Sequence, residues 1–239
     1  MYALLYGCES WYTNNLKWLD SAVLGCLKVM LGVRSQTCSD LIYIETGITP
    51  ITTEISKMRR REDFTETPLG RALHMAADVK SPMGLYYRNL LRDCDHQSDP
   101  AGLESSRIKH RVLNSTATRM VTYSELNEHL DVHPIYTNTN TINEICRISF
   151  SRMRLSSHYL KVETGRWSRI PREHRKCSCS DSIQSEEHVL IHCPETADLR
   201  AQYPLDYTNI RVFMSCTDNV ALTDYCHRVL HKMTAKDDP

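Results

Sequence analysis

A short stretch near the end of the chain holds three cysteines and one histidine in the pattern C-x-C-x8-H-x4-C. The four residues lie within 17 positions and are Cys177, Cys179, His188 and Cys193. Three thiolates and one imidazole are the ligand set and the ligand number that a closed, four-coordinate structural zinc site takes. The spacing therefore predicts a small zinc-knuckle-like module near the C-terminus, with zinc as its cofactor.

Both cysteines of the C-x-C pair can reach one ion only if the backbone turns between them, because an extended strand sends alternate side chains to opposite faces. Ser178 and Ser180 favour such a turn. The second half, His188 to Cys193, fits a short helix that ends at Pro194. The alternative interpretation is a set of ordinary buried cysteines beside a surface histidine.

Other histidines offer weaker candidates for metal ligands. His192 is a possible substitute for His188, and His174 is a more distant one. Two pairs have an i, i+4 interval, His227 with His231 and His129 with His133, but neither has an obvious third or fourth ligand nearby in the sequence. Solvated helix faces are the expected role of both pairs.

The segment just before the knuckle is strongly cationic. Residues 152–176 contain eight Lys or Arg and two Glu, although the whole chain has a formal net charge of zero. Cations interleaved with aromatic rings can neutralise phosphate and stack on unpaired bases. We therefore predict a nucleic-acid-binding arm made of Arg152, Arg154, Tyr159, Lys161, Arg166, Trp167, Arg169, Arg172, Arg175 and Lys176.

This arm has a structural alternative, a solvated loop whose Tyr159 and Trp167 pack inward. The basic cluster from Lys57 to Arg61 is a weaker candidate for the same function. Residues 177–239 carry a net charge of −5, which would repel a polyanion. Any claim of nucleic-acid binding must therefore rest on a local patch and not on the charge of the whole chain.

Hydrophobic periodicity and capping residues predict a mainly α-helical protein with few strands. Gly32 and Gly47 are expected helix stops, and the segment from Asp93 to Leu103 is expected to be a loop. The expected helices cover 16–31, 39–46, 53–64, 69–79, 82–91, 104–114, 124–130, 141–155, 197–203 and 222–233.

The other features of the sequence argue against secretion, membrane insertion and independent catalysis. Seven further cysteines are scattered without a repeating interval, the N-terminus lacks a basic and apolar signal, and the most apolar stretch, Ser21 to Val33, is interrupted by Lys28. We expect an intracellular protein, nuclear and cytoplasmic, with no membrane role. No phosphate-binding glycine loop, nucleophile elbow or metalloprotease helix occurs, so no catalytic residue is assigned.

Two blocks of this sequence resemble the C-terminal region of non-LTR retrotransposon reverse transcriptases. The more specific block comprises Ile148 to Leu155, Gly165 to Glu173, Cys177-Ser-Cys, Glu187 to Leu190, His192 to Pro194 and Leu199-Arg200. The other block comprises Leu4 to Trp11, Leu31 to Val33 and Ile44 to Gly47, and it resembles the segment just beyond the polymerase palm and thumb. The C-x-C pair departs from the C-x-x-C spacing of many knuckles.

The resemblance implies that the parent polypeptide is an RNA-directed DNA polymerase, which copies the RNA of the transposable element into DNA at a nicked target. It also implies that the tail of this polypeptide holds RNA or DNA. The aromatic residue, variable residue and two aspartates of the polymerase signature do not occur here, so the chain is expected to be a fragment that starts after the active site. Its expected segments are a helical remnant after the thumb (1–50), a helical connector (51–139), a basic arm with a CCHC zinc knuckle (140–205) and a C-terminal helical tail (206–239).

Two other functions remain open at this stage. The zinc site could instead stabilise a protein-interaction module, in which the acidic last third and the helix from Leu222 to Met233 dock a partner or the missing polymerase portion. The chain could also be an inert fragment of a decayed element.

Overall fold

The computed structural model describes residues 17–54, 100–137 and 141–234, and these ranges are mainly α-helical, as predicted. The described residues contain no β-strand, only an isolated antiparallel bridge between Lys176 and Ile183. The helices are α1 (Lys17–Met30), α2 (Ser39–Thr46), α3 (Pro100–Leu113), α4 (Thr118–Leu126), α5 (Glu144–Arg154), α6 (Lys161–Trp167), α7 (Ala197–Arg200), α8 (Ile210–Met214) and α9 (Asn219–Thr234).

The chain divides into two compact units. The first takes in residues 1–24 and 48–108, and the second takes in 25–47 and 109–239. Within the first unit, the carboxylate of Asp20 accepts hydrogen bonds from the backbone N–H of Thr52 at 3.2 Å and from its hydroxyl at 2.8 Å. The residues of the candidate sites described below belong to the second unit.

Two glycines end helices as the sequence predicts. Gly32 and Gly47 have φ angles of +64° and +66°, a left-handed conformation that residues with a Cβ rarely adopt. At Gly47 a Cβ would lie 2.6 Å from Cγ2 of Val132, so the site excludes a larger residue by crowding as well as by backbone conformation. Both stops follow from chain chemistry alone, which explains why they could be predicted.

Other predictions differ from the structure. Helix α3 begins at Pro100, inside the segment expected to be a loop, because proline is well suited to the first turn of a helix. Helices α6 and α8 were not predicted, and α6 replaces part of the expected arm. The helices expected at 69–79 and 82–91, most of that at 53–64 and the Lys57 to Arg61 cluster lie outside the described residues.

Helix α5 packs against α9 and forms the centre of the core. The side chain of Asn143 caps α5 by accepting a hydrogen bond from the N–H of Ile145 at 2.9 Å, and Phe150 and Met153 are fully buried on its inner face. On α9, the buried Tyr225 donates its hydroxyl to the carbonyl of Leu190 at 2.6 Å. This bond fixes the predicted metal-binding segment to the longest helix of the unit.

A buried ion pair joins α2 to α5. Arg154 binds Glu45 through two hydrogen bonds, from Nε to Oε1 at 2.6 Å and from Nη2 to Oε2 at 3.0 Å. The hydroxyls of Tyr123 and Tyr136 also donate to this carboxylate, at 2.6 and 2.8 Å. Burial alone would raise the pKa of Glu45, but Arg154 and these hydrogen bonds outweigh it and lower that pKa.

None of the described helices combines the length and the apolar character needed to cross a membrane.

Candidate metal centre

A tight turn carries the first two candidate ligands. The backbone N–H of Cys177 donates to the carbonyl of Ser182 at 2.8 Å, and the N–H of Gln184 donates to Arg175 at 2.9 Å. The chain therefore reverses direction through Ser178 to Ser182, and the predicted turn is present. Because of this reversal, both sulfurs of the C-x-C pair lie on the same side of the turn.

A single π-helical turn, His188–His192, begins at the third candidate ligand, and Cys193, the fourth, follows it directly. Its widened geometry is visible in the hydrogen bond from the N–H of Cys193 to the carbonyl of His188, five residues earlier, at 2.7 Å. The extra residue per turn allows side chains five positions apart to approach one another. Such π turns are rare and frequently occur at functional sites.

The four predicted ligands come together. Their donor atoms all lie within 4.8 Å of one another, and they are the only such cluster found among the described residues. Sγ of Cys177 and Sγ of Cys193 are 3.8 Å apart, which equals the sulfur–sulfur edge, about 3.8 Å, of a tetrahedron with metal–sulfur bonds of about 2.3 Å. Sγ of Cys179 is 3.2 Å from Nε2 of His188, a few tenths shorter than the corresponding edge.

The protonation of the cluster differs from residue to residue. Burial raises the pKa of Cys193 to about 12. Burial also opposes ionisation of Cys179, but hydrogen bonds with Ser180, Cys177 and Cys193 outweigh it and lower that pKa. The pKa of His188 is lowered by burial and by nearby His192 and Arg200, so its imidazole is neutral and able to donate a lone pair.

Contacts behind the cluster hold it in place. Arg200 on α7 donates from Nη2 to the carbonyl of Cys193 at 2.7 Å and from Nη1 to the hydroxyl of Thr196 at 2.7 Å. That hydroxyl in turn donates to the carbonyl of Val189 at 2.8 Å. The π turn is thus fixed from both ends by side chains that are not ligands, as expected for supporting residues of metal sites.

The structure places the other candidate histidines outside the cluster. His192 points away, with its side chain 61% exposed and 4.0 Å from Glu187. The rings of His227 and His231 are 6.4 Å apart and belong to no larger group of ligands among the described residues. His133 is buried and donates from Nε2 to the carbonyl of Met214 at 2.9 Å, so its role is structural.

One predicted nucleic-acid-binding residue lies in the core. Arg154 is only 2% exposed and is paired with Glu45 in the core, so it cannot contact a phosphate in this fold. The prediction was wrong because it counted the basic residues without asking which face of the expected helix at 141–155 each one occupies, and Arg154 lies on the inner face of α5. Arg152 is half-buried and donates from Nε to the carbonyl of Gly32 at 2.6 Å, which also restrains it.

The remaining predicted residues surround α6 and the loop after it. Tyr159, Trp167, Arg169, Arg172 and Lys176 are exposed, and Lys161, Arg166 and Arg175 are half-buried. Lys176 pairs with Asp181 at 2.7 Å, while Arg175 donates to the carbonyls of Ile170 and Val162 and retains its charge without an acidic partner among the described residues. The alternative of two inward-packed rings does not hold, since Tyr159 and Trp167 are 57% and 38% exposed.

Two cationic residues of this surface were not predicted. Arg34 follows α1, and Arg119 lies in the first turn of α4, far from the basic segment in sequence. Both approach α6, where Arg119 pairs with Glu163 at 2.7 Å and the guanidinium carbon of Arg34 lies 3.7 Å from the ring centre of Trp167. No local pattern marks either residue, because only the tertiary fold brings them to α6.

Comparisons of the chain with protein-family models, with curated proteins and with solved structures find no match. The geometry itself shows a mainly helical protein with a Cys3His cluster able to bind a metal ion such as zinc.

Proposed function

We propose that this chain is a zinc-stabilised nucleic-acid-binding module, and that it is the C-terminal part of a non-LTR retrotransposon reverse transcriptase. The observation that carries the first part is the Cys3His cluster, whose donor atoms already lie at near-tetrahedral distances beside a cationic surface. The retrotransposon assignment is supported by the sequence resemblance alone.

The metal in this proposal is structural. Cys177, Cys179, His188 and Cys193 would supply all four ligands of zinc, which leaves no open position for a substrate or a water molecule. When bound, zinc would cross-link the turn at Ser178 to Ser182 with the π turn and favour the thiolate forms of the cysteines. With zinc bound, these four residues would hold α6 and the loop that follows it beside the knuckle.

The cationic surface is the proposed contact with RNA or DNA. Arg169 and Arg172 are exposed and form no ion pair with a described residue, so their charges are available to phosphate. Neutralising a phosphate releases bound counterions, and binding through such contacts weakens as salt concentration rises. Nucleic acid is therefore the partner that matches this surface.

The fold counts against docking through the last helix. Leu222, Tyr225 and Val229 on α9 are fully buried, and Met233 is 1% exposed, so the apolar face of α9 is already used within the unit. A partner that required this face would have to unfold the core. The interaction-module alternative in its predicted form is therefore not favoured.

The test combines metal analysis with binding. The purified full chain is expected to hold one zinc by elemental analysis and to bind single-stranded RNA more weakly at about 200 mM than at about 50 mM salt. The double variant Arg169→Ala/Arg172→Ala should lower the salt slope by about 1.4 units, from about 0.7 for each lost phosphate contact on a single strand. The matched control is Arg228→Gln, an exposed arginine on α9, which should leave the slope unchanged.

Two results would contradict the proposal. A chain without zinc that still binds RNA would remove the knuckle from the explanation. An unchanged salt slope in the Arg169→Ala/Arg172→Ala variant would remove the cationic surface.

A further inference from the structure

Two arginines from separate parts of the chain bind one buried carboxylate, and a third arginine lies near them. Glu163 on α6 is 1% exposed and accepts from Arg119 at Oε2, from Nε at 3.0 Å and from Nη2 at 2.7 Å. Its Oε1 atom lies 2.7 Å from Nη1 of Arg166. Arg34 is close enough for Arg119 and Glu163 to affect its pKa, so the group holds three positive charges against one negative charge.

Arg34 is the least satisfied member of this group. Its guanidinium lies 3.7 Å from the ring centre of Trp167, and its side chain makes no hydrogen bond or ion pair with a described residue. Burial, followed by the nearby charge of Arg119, lowers the pKa of Arg34. A guanidinium that stacks on an indole is held in a fixed plane with its edge open to an oxyanion.

Two aromatic rings border the same charges. Tyr159 contacts Trp167 nearly at right angles, with ring centres 5.5 Å apart and planes at 86°. Tyr159 is 57% exposed and Trp167 is 38% exposed. An exposed ring next to unneutralised cations is the arrangement that single-stranded nucleic-acid sites use to stack bases.

We propose that Arg34, Arg119 and Arg166, together with Tyr159 and Trp167, form a subsite for one unpaired nucleotide of a single strand. The base stacks on the exposed aromatic surface, and the arginines, which exceed Glu163 in charge by two, bind the adjacent phosphate. Duplexes are disfavoured because their bases are already stacked and paired and do not present a free face. This inference rests on the proposed function and specifies its substrate class.

The experiment separates base stacking from phosphate binding. The chain has three tryptophans, so the variant Trp11→Phe/Trp18→Phe leaves Trp167 as the sole indole reporter. This protein is titrated with an oligodeoxythymidylate of about 12 nucleotides, with an abasic oligonucleotide of the same length and backbone, and with a duplex of equal length. We expect quenching of Trp167 by the oligodeoxythymidylate only, and binding about 10-fold tighter than to the abasic strand.

Substitutions assign the two halves of the subsite. Tyr159→Ala should weaken binding of the oligodeoxythymidylate by about 10-fold and leave the abasic strand unaffected. Arg34→Ala should weaken the binding of both strands and lower the salt slope of binding by about 0.7 units. Trp18 is an exposed ring of the first unit and provides the control, because Trp18→Phe alone should bind both strands with the affinity of the unaltered chain. Zinc content and circular dichroism verify that each variant is folded.

The outcomes distinguish this inference from the proposed function. Equal affinity for the abasic and base-bearing strands, without quenching of Trp167, would overturn the nucleotide subsite while leaving phosphate binding intact. Equal or tighter binding of the duplex would also overturn it. Absence of binding to all three ligands would refute the proposed function and this subsite with it.

Discussion

Arg169 occupies a backbone position that favours glycine, and we expect Arg169→Gly to make the protein more stable and a weaker binder at the same time. Helix α6 ends in a Schellman arrangement, in which the N–H of Ile170 donates to the carbonyl of Gly165 at 2.7 Å and the N–H of Arg169 donates to Arg166 at 3.2 Å. The residue between these bonds must adopt a left-handed conformation, and Arg169 has a φ of +56°.

The expected gain follows from two opposing terms. A left-handed residue with a Cβ costs about 1 to 2 kcal/mol, and glycine removes this cost. Glycine also gives the unfolded chain more freedom, which costs about 0.4 to 1 kcal/mol. The net change should be a stabilisation of about 0.5 to 1 kcal/mol, equivalent to a rise in Tm of about 1 to 4 °C for a protein of this size.

The assay compares two variants that lose the same charge. Arg169→Gly and Arg169→Ala both remove the exposed guanidinium, but only glycine relieves the backbone, since alanine keeps the Cβ. Urea and thermal unfolding should therefore separate the two variants. Titration with single-stranded RNA should not separate them, and both should show a salt slope lower by about 0.7 units.

The effect on stability and the effect on RNA binding can each be refuted separately. If Arg169→Gly were no more stable than Arg169→Ala, the left-handed backbone would not be a source of strain. If both variants bound RNA with the affinity and the salt slope of the unaltered chain, Arg169 would lie outside the nucleic-acid contact.

Three further predictions concern the metal, the buried ion pair and pH. Cys179→Ser should reduce the zinc content measured by elemental analysis, whereas Cys216→Ser, outside the cluster, should not. Glu45→Gln leaves the Arg154 charge buried without its counter-ion and should lower the free energy of unfolding by about 3 to 5 kcal/mol in urea; an effect below about 1 kcal/mol would contradict the burial of this pair. Burial, with a smaller effect of Arg154, lowers the pKa of His133 to about 4. The unfolded state therefore binds the proton more readily than the folded state does. The free energy of unfolding should be highest above about pH 6.5 and fall by up to about 3 kcal/mol towards pH 4. His133→Gln should flatten that fall, and an unchanged pH profile would show that another group is responsible.

The Cys3His cluster and the helix stops could be predicted because their signals are local. Cys177 and Cys179 need only a turn between them, and the serines beside them supply it. Gly47 can adopt a left-handed conformation that other residues resist, so its position indicates the end of α2. Of the two candidate histidines, His188 lies in the cluster and His192 does not, so the preference for His188 as a ligand remains the prediction.

The cationic surface could be predicted only in part because it depends on tertiary contacts. A count of basic residues cannot distinguish Arg154, which faces inward to Glu45, from Arg172, which faces solvent. Arg34 and Arg119 come from regions where the sequence shows no basic cluster, and only the packing around Glu163 reveals them. Local composition therefore predicts where the cationic surface lies but not all of the residues that form it.

The buried pair of Glu45 and Arg154 has a consequence for synthesis on the ribosome. The two residues are 109 positions apart, and at the usual rate of elongation Arg154 is added roughly 5 to 20 seconds after Glu45. During that interval Glu45 lacks the arginine that neutralises it in the finished fold, and α2, with five buried residues there, lacks its packing against α5. Helix α2 therefore reaches its final packing only after α5 has been synthesised, and any shortened version that begins after residue 47 would leave Arg154 in the core without its carboxylate.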